Sequence, residues 1–236
     1  MDTAFTAITP TGDRPVAFRL CQLYMSRQTI KPVEWIVIDD GRTPLEPPKD
    51  IPFLKYIRRE RQPSDPIHTL RLQMIEALKY VTTERVLIME DDDWYDPNYF
   101  NVMLGLLKEY DLVGQGDAVY YHIIHKRYHF CKNKGRASWC QTGFRSFVIP
   151  KVVRICQLGI DPFLDLSVWR IPDVRKRVLL GERPLCVGIK GLPGRQGTTM
   201  GWTHPLVFTL DVDGKMLPHL IGEDSGLYSE FQGVKE

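Results

Sequence analysis

Short apolar runs alternate with amphipathic stretches through the first half of the chain. Phe5–Ile8, Trp35–Ile38, Phe53–Ile57 and Arg85–Met89 have the length of strands. In the last of these, Val86, Leu87 and Ile88 have no polar residue between them, as in a strand covered on both faces. Helical spacing fills the intervals. One helix is predicted from about Arg14 to Arg27, with Val16, Leu20, Leu23 and Tyr24 on its apolar face, Pro15 in its first turn and Asp13 as its cap. A second is predicted from about Pro66 to Tyr80, presenting Leu70, Met74, Ala77 and Leu78. Asp96-Pro97 opens a third that ends near Tyr110. Strands separated by helices imply right-handed crossovers and an α/β fold with a mostly parallel central sheet.

Beyond about residue 116 the pattern changes. Asp111–Gln115 reads as a strand, and Val119–Phe130 is rich in β-branched and aromatic residues. Lys132-Asn133-Lys134-Gly135 is a turn, and Ser138–Val148 continues the β character. Lys151–Leu158 and Leu164–Arg177 are predicted helices, the second interrupted by Pro172. Leu185–Ile189 is a late strand, and the glycine-rich, polar run from Gly191 to Gly201 is expected to be a mobile loop. Val207–Leu217 resembles a hairpin around Asp213-Gly214, and the last dozen residues, with little core signal, are expected to fray or wrap the surface. Residues 1–116 and 117–236 are therefore two halves of one continuous globular domain.

Composition narrows the function classes. Of the 236 residues, 43% are hydrophobic and 25% charged, and the formal net charge of +2 calls for no nucleic-acid partner. The five cysteines form no C-x-x-C pair, which argues against a disulfide framework or structural zinc and suits a reducing compartment. There is no basic-then-apolar leader and no apolar stretch of about 20 residues, so a soluble cytoplasmic protein is expected. Thr9-Pro10-Thr11-Gly12-Asp13-Arg14 stands after the first strand in place of a glycine-rich dinucleotide fingerprint, which disfavours a nicotinamide or flavin enzyme.

The most informative segment is VLIMEDDDWYDP. Here Glu90, Asp91, Asp92 and Asp93 follow directly on a buried strand, at the edge where open α/β sheets bind ligands. Such carboxylates repel one another unless a hard divalent cation, Mg²⁺ or Mn²⁺, and its phosphate ligands neutralise them. If the run stays extended, Asp91 and Asp93 point the same way and Asp92 opposite. Asp93 is the first choice as a metal ligand. Asp91 reaches the sugar or ribose hydroxyls or the metal, and Asp92 fills either role if the turn rotates. Trp94 is expected to pack beneath this loop. Asp39-Asp40 after the second strand can accept from a base N–H or a ribose hydroxyl. Arg71, three residues after His68, can grip phosphate. Arg195 lies within the glycine-rich segment and His204 follows it, placed so that a lid would carry Arg195 to a charged ligand and His204 to a metal. Asp211 and Asp213 read as turn residues.

At these residues the chain resembles a nucleotide-sugar glycosyltransferase of the GT-A fold, closest in organisation to the inverting family-two enzymes. The resemblance rests on AITPTGDRP, WIVIDDG, HTLRLQMIEAL and VLIMEDDDWYDP and covers roughly residues 4–170. It implies a Rossmann-like, nucleotide-sugar-binding first half and an acceptor-side β/helical extension. It places the base and ribose of the donor on Thr9, Pro10, Arg14 and Asp39, with Asp40 as the fallback, and the diphosphate and its metal on Asp91 and Asp93. Family members open an acceptor-side helix with a Glu-Asp pair whose aspartate is the catalytic base. The matching stretch here is GIDPFLDLSVWR, in which Asp165 fits the base, Leu164 replaces the glutamate, and Asp161 is a rival. His204 resembles a late metal-binding histidine found in some GT-A enzymes.

The resemblance implies transfer of a sugar from a UDP-sugar, or else a GDP-sugar, to an acceptor hydroxyl with inversion. The acceptor would be a glycan precursor, a small metabolite, a protein or, in a minority variant, a hydroxymethylated base in phage DNA, with the basic residues of 126–136 and 175–177 tracking phosphates. A sugar nucleotidyltransferase shares such a sheet and metal site, but Thr9–Arg14 is a poor triphosphate loop. A non-catalytic sugar-nucleotide or glycan-binding protein is the third reading, against which the intact carboxylate run argues.

Overall fold

The computed structural model describes residues 4–131, 133–159, 163–181, 183–195 and 208–231. In chain order the elements are β1 (Thr6–Thr11), α1 (Pro15–Arg27), β2 (Glu34–Asp39), β3 (Leu54–Arg58), α2 (Leu70–Ala77), β4 (Arg85–Ile88), β5 (Trp94–Tyr95), α3 (Tyr99–Leu106) and β6 (Leu112–Gln115). They continue with β7 (Val119–His122), β8 (Arg127–Phe130), β9 (Thr142–Arg145), α4 (Ile149–Leu158), α5 (Leu164–Val168), β10 (Lys176–Leu179), β11 (Cys186–Lys190), β12 (Thr209–Leu210) and α6 (Met216–Ile221). Among the described residues the strands form a larger sheet, β10-β6-β9-β4-β1-β2-β3, and a smaller one, β12-β8-β7-β11-β5. In the larger sheet β3, β2, β1 and β4 are parallel neighbours, β10 runs parallel to β6, and β9 is the antiparallel member. The domain is thus α/β and Rossmann-like, with a mostly parallel central sheet flanked by helices.

Strand alternation sorts the core onto the two faces of this sheet. Ala7, Trp35, Val37 and Leu87 pack with Phe18, Cys21 and Tyr24 of α1 and with Phe100 and Met103 of α3. Ile8, Ile36, Ile38, Val86 and Ile88 face the other way, against Met74 and Ala77 of α2, Val152 and Cys156 of α4, and Val168 of α5. Both faces are covered, which is why these strands are apolar throughout rather than alternating. Each such fully buried aliphatic or aromatic side chain stabilises the fold by about 1.5–3 kcal/mol. Chain order reverses between β1 and β4, since β2 and β3 lie to one side of β1 and β4 to the other. A crevice opens at such a reversal, outside the carboxyl ends of the strands.

The structure corrects several expectations. β1 continues to Thr11, so Thr9 and Pro10 lie inside the sheet, opposite Val37 and Ile38. Asp13 does not cap α1. Its backbone is left-handed (φ 55°), and its carboxylate instead accepts from the Arg42 N–H at 2.6 Å. The helix expected over 164–177 ends at Val168; Pro172 offers no N–H, Asp173 turns the chain at φ 58°, and Lys176–Leu179 joins the sheet edge beside β6. No hairpin forms around Asp213-Gly214. Asp211 accepts from the Tyr121 hydroxyl (2.8 Å) and the Met216 N–H (3.2 Å), and α6 starts there because Leu217, Leu220 and Ile221 bury one helical face. Val119–Phe130 divides into β7 and β8 at Lys126 (φ 48°), and 3-10 turns at Trp139–Gln141 and Ser146–Val148 bracket β9. Among the described residues no helix is long and apolar enough to cross a membrane.

The C-terminal segment departs furthest from expectation. Residues Gly222–Phe231 form a 3-10 stretch rather than a frayed end. Tyr228 is buried, and its hydroxyl meets that of Tyr24 on α1 at 2.7 Å. Asp224 pairs with Arg27 and accepts from Trp94 Nε1 at 2.8 Å. Tyr228→Ala should lower stability by about 3–5 kcal/mol in urea denaturation, as for other buried aromatics, whereas Tyr228→Phe should cost about 1 kcal/mol for the lost hydrogen bond. Equal, near-zero losses in both variants would mean that the segment only drapes the surface.

Candidate active site

The acidic run leaves the sheet beside the β1/β4 reversal. Met89 still bonds to the Ile8 carbonyl (3.0 Å), and the Glu90 N–H donates to the Tyr95 hydroxyl (2.7 Å), which closes a tight turn over residues 90–95. Trp94 and Tyr95 are buried beneath it, as the sequence suggested for Trp94. Because the run turns, the expected extended alternation does not hold. Adjacent carboxylates share cations instead. Arg14 contacts Asp91 at 2.7 Å and Asp92 at 3.0 Å, while Lys190 contacts Asp92 at 3.8 Å and Asp93 at 3.3 Å. Asp93 also accepts from the Ile189 N–H at 3.2 Å. Carboxylate oxygens of Glu90, Asp92 and Asp93 lie within 4.8 Å of one another, and Asp91 stands outside this group, against Arg14.

Sequence reasoning missed Lys190. Its signal was present: a lysine ending the otherwise apolar run CVGI, just before Gly191. At 2% exposure it can remain charged only beside carboxylates.

Two cations face four carboxylates, which leaves two negative charges over when all are ionised. Burial is the first cause of the resulting shifts. It pushes Asp91 up to about 7 against the pull of Arg14, and Asp93 up to about 6 against the pull of Lys190. Glu90 is driven well upward by burial and by Asp93 and Asp92. Burial would raise Asp92 too, but Lys190 and Arg14 together hold it below the ordinary carboxylate range. An all-oxygen group with two charges uncompensated fits a hard divalent cation of the Mg²⁺ or Mn²⁺ kind.

On the β1/β2 side the neighbouring carboxylates are engaged to different degrees. Thr9 is occupied inside the sheet, its hydroxyl accepting from Trp35 Nε1 at 2.8 Å. Asp39 accepts from the N–H groups of Gly41 (2.8 Å) and Leu45 (2.9 Å) and from the Tyr56 hydroxyl (2.7 Å), and it pairs with Arg58 at 3.3 Å. Both Asp39 oxygens therefore hold the following loop. Asp40 turns to the crevice, where it meets Arg195 at 2.6 Å, Gln73 Nε2 at 3.2 Å and Arg59 at 3.6 Å. Gly12 permits this approach, since a Cβ there would stand 2.7 Å from both Arg195 Nη2 and Asp40 Oδ1. Arg14 Nε, Asp40 Oδ2, Arg59 Nη1, Arg195 Nη1 and both Asp91 oxygens are buried there without a well-aligned hydrogen bond. Ion pairs partly replace those hydrogen bonds, since Asp91 Oδ1 lies 2.7 Å from Arg14 and Asp40 Oδ2 3.6 Å from Arg59.

A cavity of about 380 Å³ extends from the acidic turn. Glu90, Asp93, Lys190, Asp165 and Arg136 all line it, with Tyr120, Trp139 and Phe163 among its walls. Asp165 lies in the first turn of α5, 3.6 Å from Arg136 Nε. The structure thus brings one proposed base to the same cavity as the acidic group. Arg71 sits elsewhere, on α2 against Cys156 and the end of α4 at Gly159, with Nη2 buried and lacking a hydrogen bond. Asp161 and His204 lie outside the described residues.

The upward shifts of Asp91 and Asp93 fix the sign of a pH effect. A carboxyl whose folded pKa is raised holds its proton better in the folded than in the unfolded chain, so its contribution falls as pH rises from about 4 to about 7. Asp92 acts oppositely, but only below the ordinary carboxylate pKa. A divalent ion competes with those same protons. The melting-temperature gain from Mn²⁺ over chelator should therefore be larger at about pH 7.5 than at about pH 5. A gain independent of pH would show that the ion binds elsewhere.

No protein-family model and no curated protein sequence matches the chain. Solved structures do resemble it. Residues 1–349 of S. aureus TarS align with a TM-score of 0.54 at 14% identity, covering 79% of this chain and 60% of that one. The TarS complex with UDP-GlcNAc aligns with a TM-score of 0.53 at 14% identity, covering 84% and 61%. The 4-diphosphocytidyl-2C-methyl-D-erythritol synthase of Anaerococcus prevotii aligns at 0.46 and 12% identity, covering 76% and 87%. The chain spans about three fifths of the TarS chain it matches, and the likeness is one of fold.

Proposed function

We propose that the chain is a metal-dependent glycosyltransferase that moves a sugar from a UDP-sugar to an acceptor hydroxyl, with inversion at the anomeric carbon. The observation that carries this reading is the shared cavity. Glu90 and Asp93, which group with Asp92, line it together with Asp165. That TarS was solved with UDP and with UDP-GlcNAc supports a UDP-sugar over a GDP-sugar as donor.

In this reading Asp40 and Arg195 receive the nucleoside, because both Asp39 oxygens are spent on the loop. Arg14 orients Asp91 and Asp92, and Lys190 orients Asp92 and Asp93. A bound Mn²⁺ or Mg²⁺ on the oxygen group, with Asp93 its first ligand, would neutralise charge on the departing diphosphate. Asp165 accepts the proton of the acceptor hydroxyl as its oxygen bonds to the anomeric carbon. The bond from that carbon to the diphosphate oxygen breaks, and its electron pair leaves with the nucleoside diphosphate. Arg136, 3.6 Å away, helps to orient the Asp165 carboxylate. The aromatic walls would hold a sugar acceptor by its apolar face. A hydroxymethylated base in DNA is a second acceptor that such walls would stack. Asp161 and His204 enter this reading as a rival base and a further metal ligand, whereas Arg71, on α2 beside Cys156 and Gly159, is set aside as a phosphate contact.

Calorimetry with UDP and GDP, each with Mn²⁺ or chelator, should show metal-enhanced binding, stronger for UDP. Equal binding in chelator would remove the ion from the mechanism. Asp165→Asn should bind donor normally and lose transfer by at least about a hundredfold. Products from a panel of sugar nucleotides with glycan, metabolite and hydroxymethylated-DNA acceptors should include free nucleoside diphosphate. Release of pyrophosphate instead would identify a nucleotidyltransferase.

A further inference from the structure

A second set of ligating atoms, apart from the oxygen group, also meets at Asp93. The Cys140 and Cys186 sulfurs and an Asp93 carboxylate oxygen all lie within 4.8 Å of one another. Three separate segments bring them together. Asp93 comes from the acidic turn, Cys140 from the 3-10 turn Trp139–Gln141, and Cys186 from the start of β11, where it pairs with Tyr95 of β5. The thiol of Cys140 lies within 4.8 Å of both the Cys186 sulfur and an Asp93 oxygen. All five cysteines of the chain are free, so neither sulfur is committed to a disulfide.

Buried cysteines are commonly no more than small apolar fillers. Two features set this pair apart. The thiols converge on a carboxylate rather than on aliphatic side chains alone. Asp93 and Cys140 also line the cavity of about 380 Å³, so an ion entering it reaches both without unfolding the core. Two sulfurs and one oxygen form the three-ligand set of an open tetrahedral site, with the fourth position left to water from the cavity. Thiolate ligands select soft or borderline ions, whereas Glu90, Asp92 and Asp93 offer only hard oxygens.

We infer that Asp93, Cys140 and Cys186 form a binding site for a thiophilic divalent cation of the Zn²⁺ class, and that this site and the oxygen group exclude each other. The exclusion follows from Asp93. One of its oxygens already accepts from the Ile189 N–H at 3.2 Å and from Lys190 at 3.3 Å, which makes the other oxygen the less occupied ligand atom for either ion. Zinc bound to the sulfurs takes that oxygen, so it antagonises manganese rather than replacing it. Binding at the sulfurs does not depend on the proposed transferase activity. Only the exclusion draws on that reading, through its hard-metal site.

Co²⁺ titrated into the reduced, metal-free protein reports directly on sulfur ligation. A sulfur-to-cobalt charge-transfer band should appear in the near ultraviolet, and Zn²⁺ should bleach it. Cys131 also lines the cavity, so variants are needed to locate the source. Cys140→Ala and Cys186→Ala should each lose most of the band and weaken Zn²⁺ by at least about tenfold in competition with a chromophoric chelator. Absence of the band in the unaltered protein, or its survival in the double variant, overturns the site. Mn²⁺ uptake, followed by paramagnetic resonance, is measured first in zinc-free protein, so a missing hard-metal site is recognised separately. One equivalent of Zn²⁺ should then block that uptake in the unaltered protein but not in the double variant. Equal uptake with and without Zn²⁺ overturns the exclusion.

Discussion

Four carboxylates at the end of one buried strand are the constraint around which the rest of this molecule is arranged. Glu90, Asp91, Asp92 and Asp93 leave β4 on consecutive residues, and Asp91 and Asp93 are almost wholly removed from water. Without counter-charge such a turn would unfold or bind protons, because desolvating isolated carboxylates is among the costliest events in folding. The protein answers with Arg14 from the loop after β1 and Lys190 from the end of β11. Neither cation is local in sequence, so the native turn depends on both sheets. The compensation is also incomplete. With all four ionised two charges would be uncovered, and burial accordingly raises Glu90, Asp91 and Asp93 toward their protonated forms.

The sheet topology explains why the deficit is tolerated at this place. β1 and β4 are neighbours through which the chain order reverses, so the loops after them diverge and leave a crevice where a ligand can complete the electrostatics. On the opposite bank, Asp39 and Asp40 illustrate a division of labour between adjacent identical residues. Asp39 gives both oxygens to the loop that follows it, while Asp40 meets Arg195, Gln73 and Arg59 in the crevice. Strand alternation separates their directions, and a one-residue slip in β2 would exchange the two roles.

What could be read from the sequence follows from this division between local and distant causes. The strands Trp35–Ile38 and Val86–Ile88 were legible because covered sheets demand unbroken apolar runs. The start of α1 was legible because Pro15 presets its first turn. The acidic turn was legible as a site from composition and position together. Its internal geometry was not, since alternation applies to extended chain and the run bends at once to reach Tyr95. Lys190 and the convergence of Asp165 with Asp93 on one cavity were hidden because they depend on pairing across the smaller sheet and on the placement of α5. Lys176 and Arg177, which open β10, were read as the end of the helix begun at Leu164. Only Pro172 and the left-handed Asp173 decide against the helix.

The C-terminal segment joins these arguments at Trp94. This residue directly follows the acidic run, and its ring lies edge-on to Tyr24 of α1 with centroids 6.5 Å apart. Its indole N–H is held by Asp224, which also pairs with Arg27, and Tyr24 in turn meets Tyr228. The final described residues therefore clamp α1 and the base of the acidic turn together from outside the crevice. Arg14, which precedes α1, reaches the same turn from within. A helix held at both ends against one loop can shift only together with it. Displacement of Asp91 or Asp92 by an incoming ion is therefore resisted by the packing of Tyr228 as well as by the charge of Arg14.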